Sequence, residues 1–110
     1  MKKSEIKFIV GLDEKNIPEK IEWVAEDSLS QDLKETKSIS LSLWDEEKKN
    51  TLRIDLWTKE MPVNEMNNFF YQSILTMGES IYRATENEKV KNAMKKISNI
   101  LENELKIEVK

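Results

Sequence analysis

This chain of 110 residues contains no histidine and no cysteine. Without histidine it lacks the commonest general base and metal ligand, and neither a Ser-His-Asp triad nor a Cys-His nucleophile can be built. Without cysteine it has no disulfide framework and no thiolate metal site, which fits a reducing compartment. We therefore expect a protein that is not an enzyme and that holds no metal.

Glycine is nearly as scarce, because Gly11 and Gly78 are the only two in the chain. Neither a phosphate-binding P-loop nor a dinucleotide-binding glycine fingerprint can be formed from them, so we expect no nucleotide cofactor. The acidic run at 45–47 is followed by Lys48 and Lys49. It lacks the ligand spacing and the sharp-turn glycine of a calcium loop, and we interpret it as a solvated hairpin turn.

Neither a concentrated positive charge nor a long apolar run is present. The 18 basic and 21 acidic residues are interleaved and leave a formal net charge of -3, which does not favour binding to a phosphate backbone. No segment approaches the roughly 20 apolar residues needed to cross a bilayer, and the apolar segment after Met1 is too short and alternating for a signal peptide. We expect a folded cytoplasmic protein with one domain over 1–110, no nucleic acid partner and no direct membrane insertion.

The apolar residues of the first part of the chain alternate with polar ones, which predicts β-strands. The first apolar row is Ile6, Phe8, Val10 and Leu12, and the second, which we expect in the core, is Ile21, Trp23 and Ala25. Because Pro18 cannot donate a hydrogen bond in a sheet, we place the start of the second strand after it. Residues 27–37 are polar apart from Leu29 and Leu33, and we interpret them as a connection with at most one helical turn capped by Ser28.

A hairpin between residues 38 and 57 carries the third and fourth predicted strands. Antiparallel pairing around 45–50 sets Leu43 opposite Leu52, Leu41 opposite Ile54, and Ile39 opposite Leu56. A slip of one residue would turn one aliphatic row to the other face, so we predict this register. The opposite face then carries serines, a threonine, Arg53 and Asp55, together with Trp44 and Trp57.

The two tryptophans of this polar face are the candidate functional residues. Each indole can bury about 150–250 Å², and in the predicted register Trp44 and Trp57 lie about 20 Å apart at roughly 3.3 Å per residue. Two interpretations stay open. A bulge, a loop or the second helix covers them within the monomer, or they anchor a contact with another protein or a second copy. Since Trp, Tyr and Arg are favoured at interfaces, we assign Trp44, Arg53 and Trp57 as candidate protein-binding residues.

The remainder of the chain predicts two helices. Pro62 ends the strand region, and Asn64 is suited to cap the first helix. The apolar stripe of this helix is Met66, Phe69, Phe70, Ile74, Met77, Ile81 and Ala84. Gly78 costs about 1 kcal/mol relative to alanine, so we expect it at a close approach to the sheet or to the second helix. The turn at 85–87 caps a second helix that reaches about Lys106, with a stripe of Val90, Met94, Ile97, Leu101 and Leu105.

The sequence also resembles a known family. The similarity is carried by Leu43-Trp44-Asp45, the run from Thr51 to Met66, Phe69-Phe70 and Arg83-Ala84-Thr85. These segments resemble gliding motility-associated protein C, GldC, over essentially the full length. The resemblance implies a small cytoplasmic accessory protein of the gliding apparatus of Bacteroidetes-type bacteria, where a surface-adhesin motor and a secretion system work together. It implies no catalytic motif, cofactor or assigned binding residue, and we expect a protein partner from the gliding or secretion machinery, or a homo-oligomer.

Strands followed by helices predict an α+β fold, with one four-stranded antiparallel sheet and two C-terminal helices packed on one of its faces. The order of elements is similar to that of the secretion chaperone SecB, although the two sequences are not visibly alike. Fold analogy alone does not establish function. It does supply the alternative hypothesis of a chaperone that holds extended polypeptides for secretion.

Overall fold

The structure is a computed structural model and describes residues 1–26 and 32–107. The chain divides into two compact units, Met1–Met61 and Pro62–Lys110, of which the first contains the described strands and the second the described helices. The predicted α+β class is confirmed. The single four-stranded sheet is wrong, because the described strands form one sheet of three and another of two. That the chain is one domain, and that the helices pack on a sheet face, stay predictions.

The first sheet is antiparallel, in the order β1 (Ile6–Leu12), β2 (Pro18–Ala25) and β3 (Lys34–Thr36). The predicted alternation is confirmed, since Val10 lies opposite Ile21 and Phe8 opposite Trp23. β2 begins at Pro18 itself, one residue earlier than predicted, because the first position of a strand tolerates the missing donor. Ile21 is 0% exposed and forms the centre of this small core.

The third strand corrects the prediction of a plain connection over 27–37. β3 places Thr36 opposite Ile21 and Lys34 opposite Trp23. Its sequence Lys-Glu-Thr has no apolar alternation, so nothing in the local pattern predicts a strand. The open edge of β2 stabilises it through backbone hydrogen bonds. The predicted helical turn at Ser28 lies outside the described residues.

The second sheet consists of β4 (Ser38–Asp45) and β5 (Asn50–Trp57), and we refer to this pair as the ribbon. Its predicted register is confirmed at all three aliphatic pairs, Leu43 with Leu52, Leu41 with Ile54 and Ile39 with Leu56. The turn is closed by Asp45, whose Oδ1 accepts hydrogen bonds from the backbone N–H groups of Glu47 (3.0 Å) and Lys48 (3.1 Å). The acidic run is therefore part of an exposed turn, as interpreted from the sequence.

Coverage of the aliphatic face of the ribbon falls towards its turn. Ile39 and Leu56 pair at the end of the ribbon opposite the turn and are partly buried. Leu52 and Ile54 are exposed, and Leu43 is 55% exposed. The predicted aliphatic row therefore exists on one face, but only its end away from the turn is covered.

Two helices, α1 (Val63–Thr85) and α2 (Glu88–Glu104), form the second unit. The prediction of Asn64 as the N-cap is wrong: the cap is Pro62, whose carbonyl accepts a hydrogen bond from the N–H of Met66 (3.0 Å). The fixed, extended Pro62 lets the helix begin directly after it. The second predicted cap is confirmed, because Asn87 Oδ1 accepts hydrogen bonds from the first-turn N–H groups of Lys89 (3.1 Å) and Val90 (3.2 Å).

The helices pack against each other through small residues. Gly78 is buried, and a Cβ atom placed on it would lie 2.8 Å from Cβ of Met94, which confirms the predicted approach to the second helix. Ser98 is 1% exposed and donates its hydroxyl hydrogen to the carbonyl of Met94 (2.9 Å). The predicted place of Ile97 on the buried stripe is wrong, because Ile97 is 44% exposed while the neighbouring Ser98 is buried.

Candidate protein-binding surface

Both candidate tryptophans lie on the ribbon face opposite the aliphatic row. Trp44 pairs with Thr51 and Trp57 with Ser38, so the strand alternation puts the two indoles on the same face. Trp44 is 60% exposed and Trp57 is 49% exposed. Six residue steps separate them, or about 20 Å along the ribbon. The exposed halves of two large aromatic side chains therefore mark the two ends of one face, which we refer to as the indole face.

Arg53 lies between the two indoles and is held by neighbouring side chains. Its Nη1 donates a hydrogen bond to Ser42 Oγ (2.7 Å) and its Nη2 donates to Ser40 Oγ (2.6 Å), so the guanidinium reaches from β5 across β4. Nη2 also donates to Asp55 Oδ1 (3.0 Å). The sequence placed these residues on one face, but it did not show that the arginine would be fixed there.

The carboxylate of Asp55 completes this polar network. The Ser40 hydroxyl donates a hydrogen bond to Asp55 Oδ1, and Arg53 adds a second hydrogen bond and a positive charge. The hydrogen bond from Ser40 has the largest effect and that from Arg53 the next, and both lower the pKa of Asp55 below its ordinary value of 3.8. Because the folded pKa is lowered, the network stabilises the fold above the ordinary carboxyl pKa, and this contribution is lost as the pH falls through the folded pKa.

We expect the Asp55 carboxyl carbon to titrate below pH 3.8 in a carbon NMR experiment. Replacing Ser40 with alanine should move its pKa upward, because the hydrogen bond with the largest effect is lost. Replacing Arg53 with glutamine should also raise the pKa of Asp55, because the hydrogen bond and the charge of the guanidinium are lost. The control is Ser73→Ala, which removes a hydroxyl from the helical unit and should leave the Asp55 titration unchanged. An Asp55 pKa that neither Ser40→Ala nor Arg53→Gln raises would contradict this network.

Trp57 borders a depression that the sequence did not predict. A cavity of about 400 Å³ is lined by Ile17, Pro18, Asp55, Leu56, Trp57 and Lys59. The N–H of Lys59 donates to the carbonyl of Pro18 (3.2 Å), which brings two distant parts of the first unit together. The Lys59 ammonium donates to Asp13 Oδ2 (3.2 Å), and this hydrogen bond raises its pKa. Trp57 therefore borders a cavity whose lining combines apolar side chains with the charged Asp55 and Lys59.

A second depression, which we refer to as the trough, lies on the apolar face of the three-stranded sheet. It has a volume of about 310 Å³, and its lining includes Ile6, Phe8, Trp23 and Ile39. Trp23, expected in the core, is only partly buried, and the ammonium of Lys34 lies 5.6 Å from the centre of its ring. The core prediction is therefore only partly met, because too few neighbouring side chains cover this face.

The described residues 1–26 and 32–107 contain no group of three or more acidic, histidine or cysteine side chains placed to hold a metal ion. Over the same residues, no helix has the length and apolar character needed to span a membrane.

Comparison with known proteins identifies the family. The model of the family described as "Gliding motility-associated protein GldC-like" matches residues 18–107, well over half of the chain. The match covers the whole ribbon and both helices. No curated protein and no solved structure matches the chain. The family ties the chain to gliding motility and agrees with the segments of resemblance in the sequence. The chain belongs to the GldC-like family of gliding motility-associated proteins.

Proposed function

We propose that this protein is a non-enzymatic, cytoplasmic accessory protein of gliding motility that binds another protein of the gliding or secretion machinery. Its binding surface is the indole face, with Trp44 and Trp57 as anchors and Arg53 between them. The observation that carries the proposal is the exposure of both indoles on a face whose only other large side chain is already fixed in place.

The size of the anchors supports this proposal. Two indoles have about 300–500 Å² of surface together, and about half of it is exposed here. They can therefore contribute roughly 150–250 Å² to the roughly 800 Å² that each partner buries in a standard interface. Tryptophan and arginine are also the residues that most often dominate binding energy. Since Arg53 is held by Ser40, Ser42 and Asp55, it loses little conformational freedom on binding. The indole face is therefore suited to a specific protein contact.

The chemistry of the face supports a binding role rather than catalysis. The chain has no histidine or cysteine, and the one carboxylate in the network accepts hydrogen bonds from Ser40 and Arg53. These partners lower the pKa of Asp55 and leave it a poor proton acceptor near neutral pH. The cytoplasmic location is part of the proposal and is based on the sequence expectations alone.

We expect the double variant Trp44→Ser, Trp57→Ser to lose partner binding and gliding while its thermal midpoint stays within a few degrees of the wild type. The reason is that both rings are about half exposed or more, so their removal changes the surface more than the core. Binding is measured by crosslinking the protein in gliding cells and identifying the crosslinked protein by mass spectrometry. Gliding is measured as cell speed on glass.

A matched control is Leu33→Ser, which removes an exposed apolar side chain away from the ribbon and should leave gliding speed unchanged. Trp23→Ser is the stability control, since its ring lines the trough of the three-stranded sheet and its loss should lower the midpoint. Unchanged gliding in the double variant would overturn the proposal. A large fall in its thermal midpoint would assign the indoles to the core.

The SecB-like chaperone is the second candidate, favoured by the open apolar trough beside Trp23. Residues Ile6 and Phe8 of β1 line this trough, and Ile6 is exposed, so an extended apolar segment could lie against them. The two candidates predict different results in the same assay. A chaperone binds unfolded polypeptides whether or not Trp44 and Trp57 are replaced, whereas the specific accessory protein does not bind them.

A further inference from the structure

The outer edge of β4 has backbone groups that point away from its partner strand. The N–H of Thr58 donates to the carbonyl of Lys37 (2.8 Å), in the same register as the ribbon. Antiparallel pairing alternates, so the odd-numbered residues of β4 direct their backbone groups at β5 and the even-numbered residues direct theirs outward. Ser38 is satisfied locally, because the Thr36 hydroxyl bonds to its carbonyl (3.0 Å) and accepts from its N–H (3.4 Å). Beyond Ser38, the outward-directed residues of the strand are Ser40, Ser42 and Trp44.

The edge of β4 lacks the sequence features that protect natural edge strands against pairing. Natural edge strands carry charged side chains, proline or a bulge. From Ser38 to Trp44 there is no charge and no proline, and the pairing with β5 is regular. By contrast, β1 carries Lys7 and a register shift at Gly11, and β5 carries charged side chains. Among the described strands, β4 therefore has the edge best suited to receive another strand.

The ribbon also needs support that the described structure does not supply near its turn. A two-stranded antiparallel sheet is marginally stable in water, and three or more strands with an apolar face are needed for independent stability. Leu43 at 55% and its neighbours Leu52 and Ile54 remain exposed on the aliphatic face. An added strand along β4 would extend this face and cover part of it.

We propose that β4 pairs antiparallel with β4 of a second copy of this chain, about a two-fold axis at Ser42. This register sets Ser42 opposite Ser42 of the second copy and Ser40 opposite Trp44 on either side. All three outward-directed residues of each copy then pair, which gives six backbone hydrogen bonds. A register shifted by two residues either involves Ser38, whose groups Thr36 already satisfies, or leaves Ser40 unpaired. A second copy can therefore satisfy the backbone groups of all three outward-directed residues on this edge.

Side chains on both faces agree with this register. On the aliphatic face, Leu41 lies opposite Leu43 of the second copy, and no charges oppose each other along the contact. On the indole face, Trp44 lies beside Ser40 of the second copy, whose hydroxyl accepts a hydrogen bond from Arg53 in the same molecule. The indole of one copy thus meets the guanidinium of the other, an attractive cation–π arrangement. All four indoles end on one side of a four-stranded sheet.

The inference goes beyond the proposed function, because it concerns the strand edge rather than a partner bound on the indole face. It does add to that function, since the doubled sheet offers one continuous indole face made by two copies. The two Trp57 rings then lie at its opposite ends, outside the new strand pairing.

A single cysteine tests the register directly, because the natural chain contains none. The two-fold axis brings the Cα atoms of the two Ser42 residues to about 5.5 Å, within the range of roughly 4.4–6.8 Å for a disulfide. We expect Ser42→Cys to form a disulfide-linked dimer under mild oxidation. The matched control is Ser40→Cys on the same face, whose Cα atoms would lie about 14 Å apart. It should crosslink at least about tenfold more slowly.

A second variant tests the pairing between the two β4 strands without introducing a disulfide. Ser42→Pro deletes an N–H that points outward, so the pairing with β5 is retained while the contact between copies loses its two central hydrogen bonds. Light scattering should give the wild type twice the chain mass of 13.0 kDa and give Ser42→Pro the single mass. Thr51→Pro is the control, because its N–H points outward on the opposite edge of the ribbon, and it should stay dimeric.

Two results would overturn the inference. One is equal crosslinking of the two cysteine variants, and the other is a wild type that keeps a mass of 13.0 kDa up to about 100 µM. The cysteine result holds even if Ser42→Pro does not fold. The single variant Trp57→Ser separates the two proposals, because this ring takes no part in the pairing of β4 with its copy. Lost gliding in Trp57→Ser without a wild-type dimer would support the function and reject the pairing. A dimer with normal gliding in Trp57→Ser would do the reverse.

Discussion

Replacing Ile21 with alanine is expected to lower the free energy of unfolding by about 2–5 kcal/mol, the range for deleting a buried aliphatic side chain. Ile21 is 0% exposed and lies on the central strand, opposite Val10 on one side and Thr36 on the other. Among the described residues, Ile21 is the one apolar side chain that is fully buried. Its loss therefore leaves a cavity that few other buried side chains can fill. Urea denaturation followed by tryptophan fluorescence measures the change.

Two controls make this result specific to burial. Ile9→Ala deletes the same atoms from β1, but Ile9 is 43% exposed, so the loss should stay below about 1 kcal/mol. Ile21→Val removes one methylene group and should cost about 0.5–1.5 kcal/mol. Equal losses for Ile9→Ala and Ile21→Ala would show that the three-stranded sheet has no distinct core.

Replacing Gly78 with leucine is expected to destabilise the helical unit by about 3 kcal/mol, the upper end of the usual cost of overpacking. Even a methyl group at this position would lie 2.8 Å from Cβ of Met94, an atom that is fixed to the backbone of α2. Gly78→Ala should therefore also destabilise, although alanine favours an isolated helix by about 1 kcal/mol. Thermal unfolding, followed by the helix signal in circular dichroism, measures both changes.

The neighbouring Glu79 supplies the control, because it is exposed on the same helix. Glu79→Leu should change the free energy of unfolding by no more than about 0.5 kcal/mol. Met94→Gly removes the opposing Cβ, so Gly78→Ala should become stabilising in that background, and the difference between the two backgrounds measures the contact. If Gly78→Ala stabilises the wild-type chain as well, the close approach of the helices is wrong.

The sequence predicted the parts of this fold that depend on local periodicity. Alternation fixed the register of the ribbon, because only one pairing stacks Leu41 on Ile54 with both aliphatic rows on one face. The same alternation placed Trp44 and Trp57 on the other face. The second helix cap followed from the capping chemistry of Asn87, and the close helix contact followed from Gly78.

The features that the sequence missed depend on contacts between distant residues. β3 has no apolar pattern and exists because β2 offers it an open edge, and no local rule predicts how strands divide between two sheets. Ile97 has the right spacing for the helix stripe, but it is exposed and the neighbouring Ser98 is buried in its place. The depression beside Trp57 depends on a hydrogen bond between Lys59 and Pro18, for which the sequence holds no signal.

The order of the described pairings bears on how fast the chain folds. β1 pairs with β2, β2 with β3, β4 with β5 and α1 with α2, so each pairing joins neighbours along the chain. Pairing between neighbours along the chain speeds the formation of these elements, because little loop entropy is lost before their contacts form. Encounters between molecules at cellular concentrations are slower, so we expect each chain to complete its own hairpins before it meets any partner.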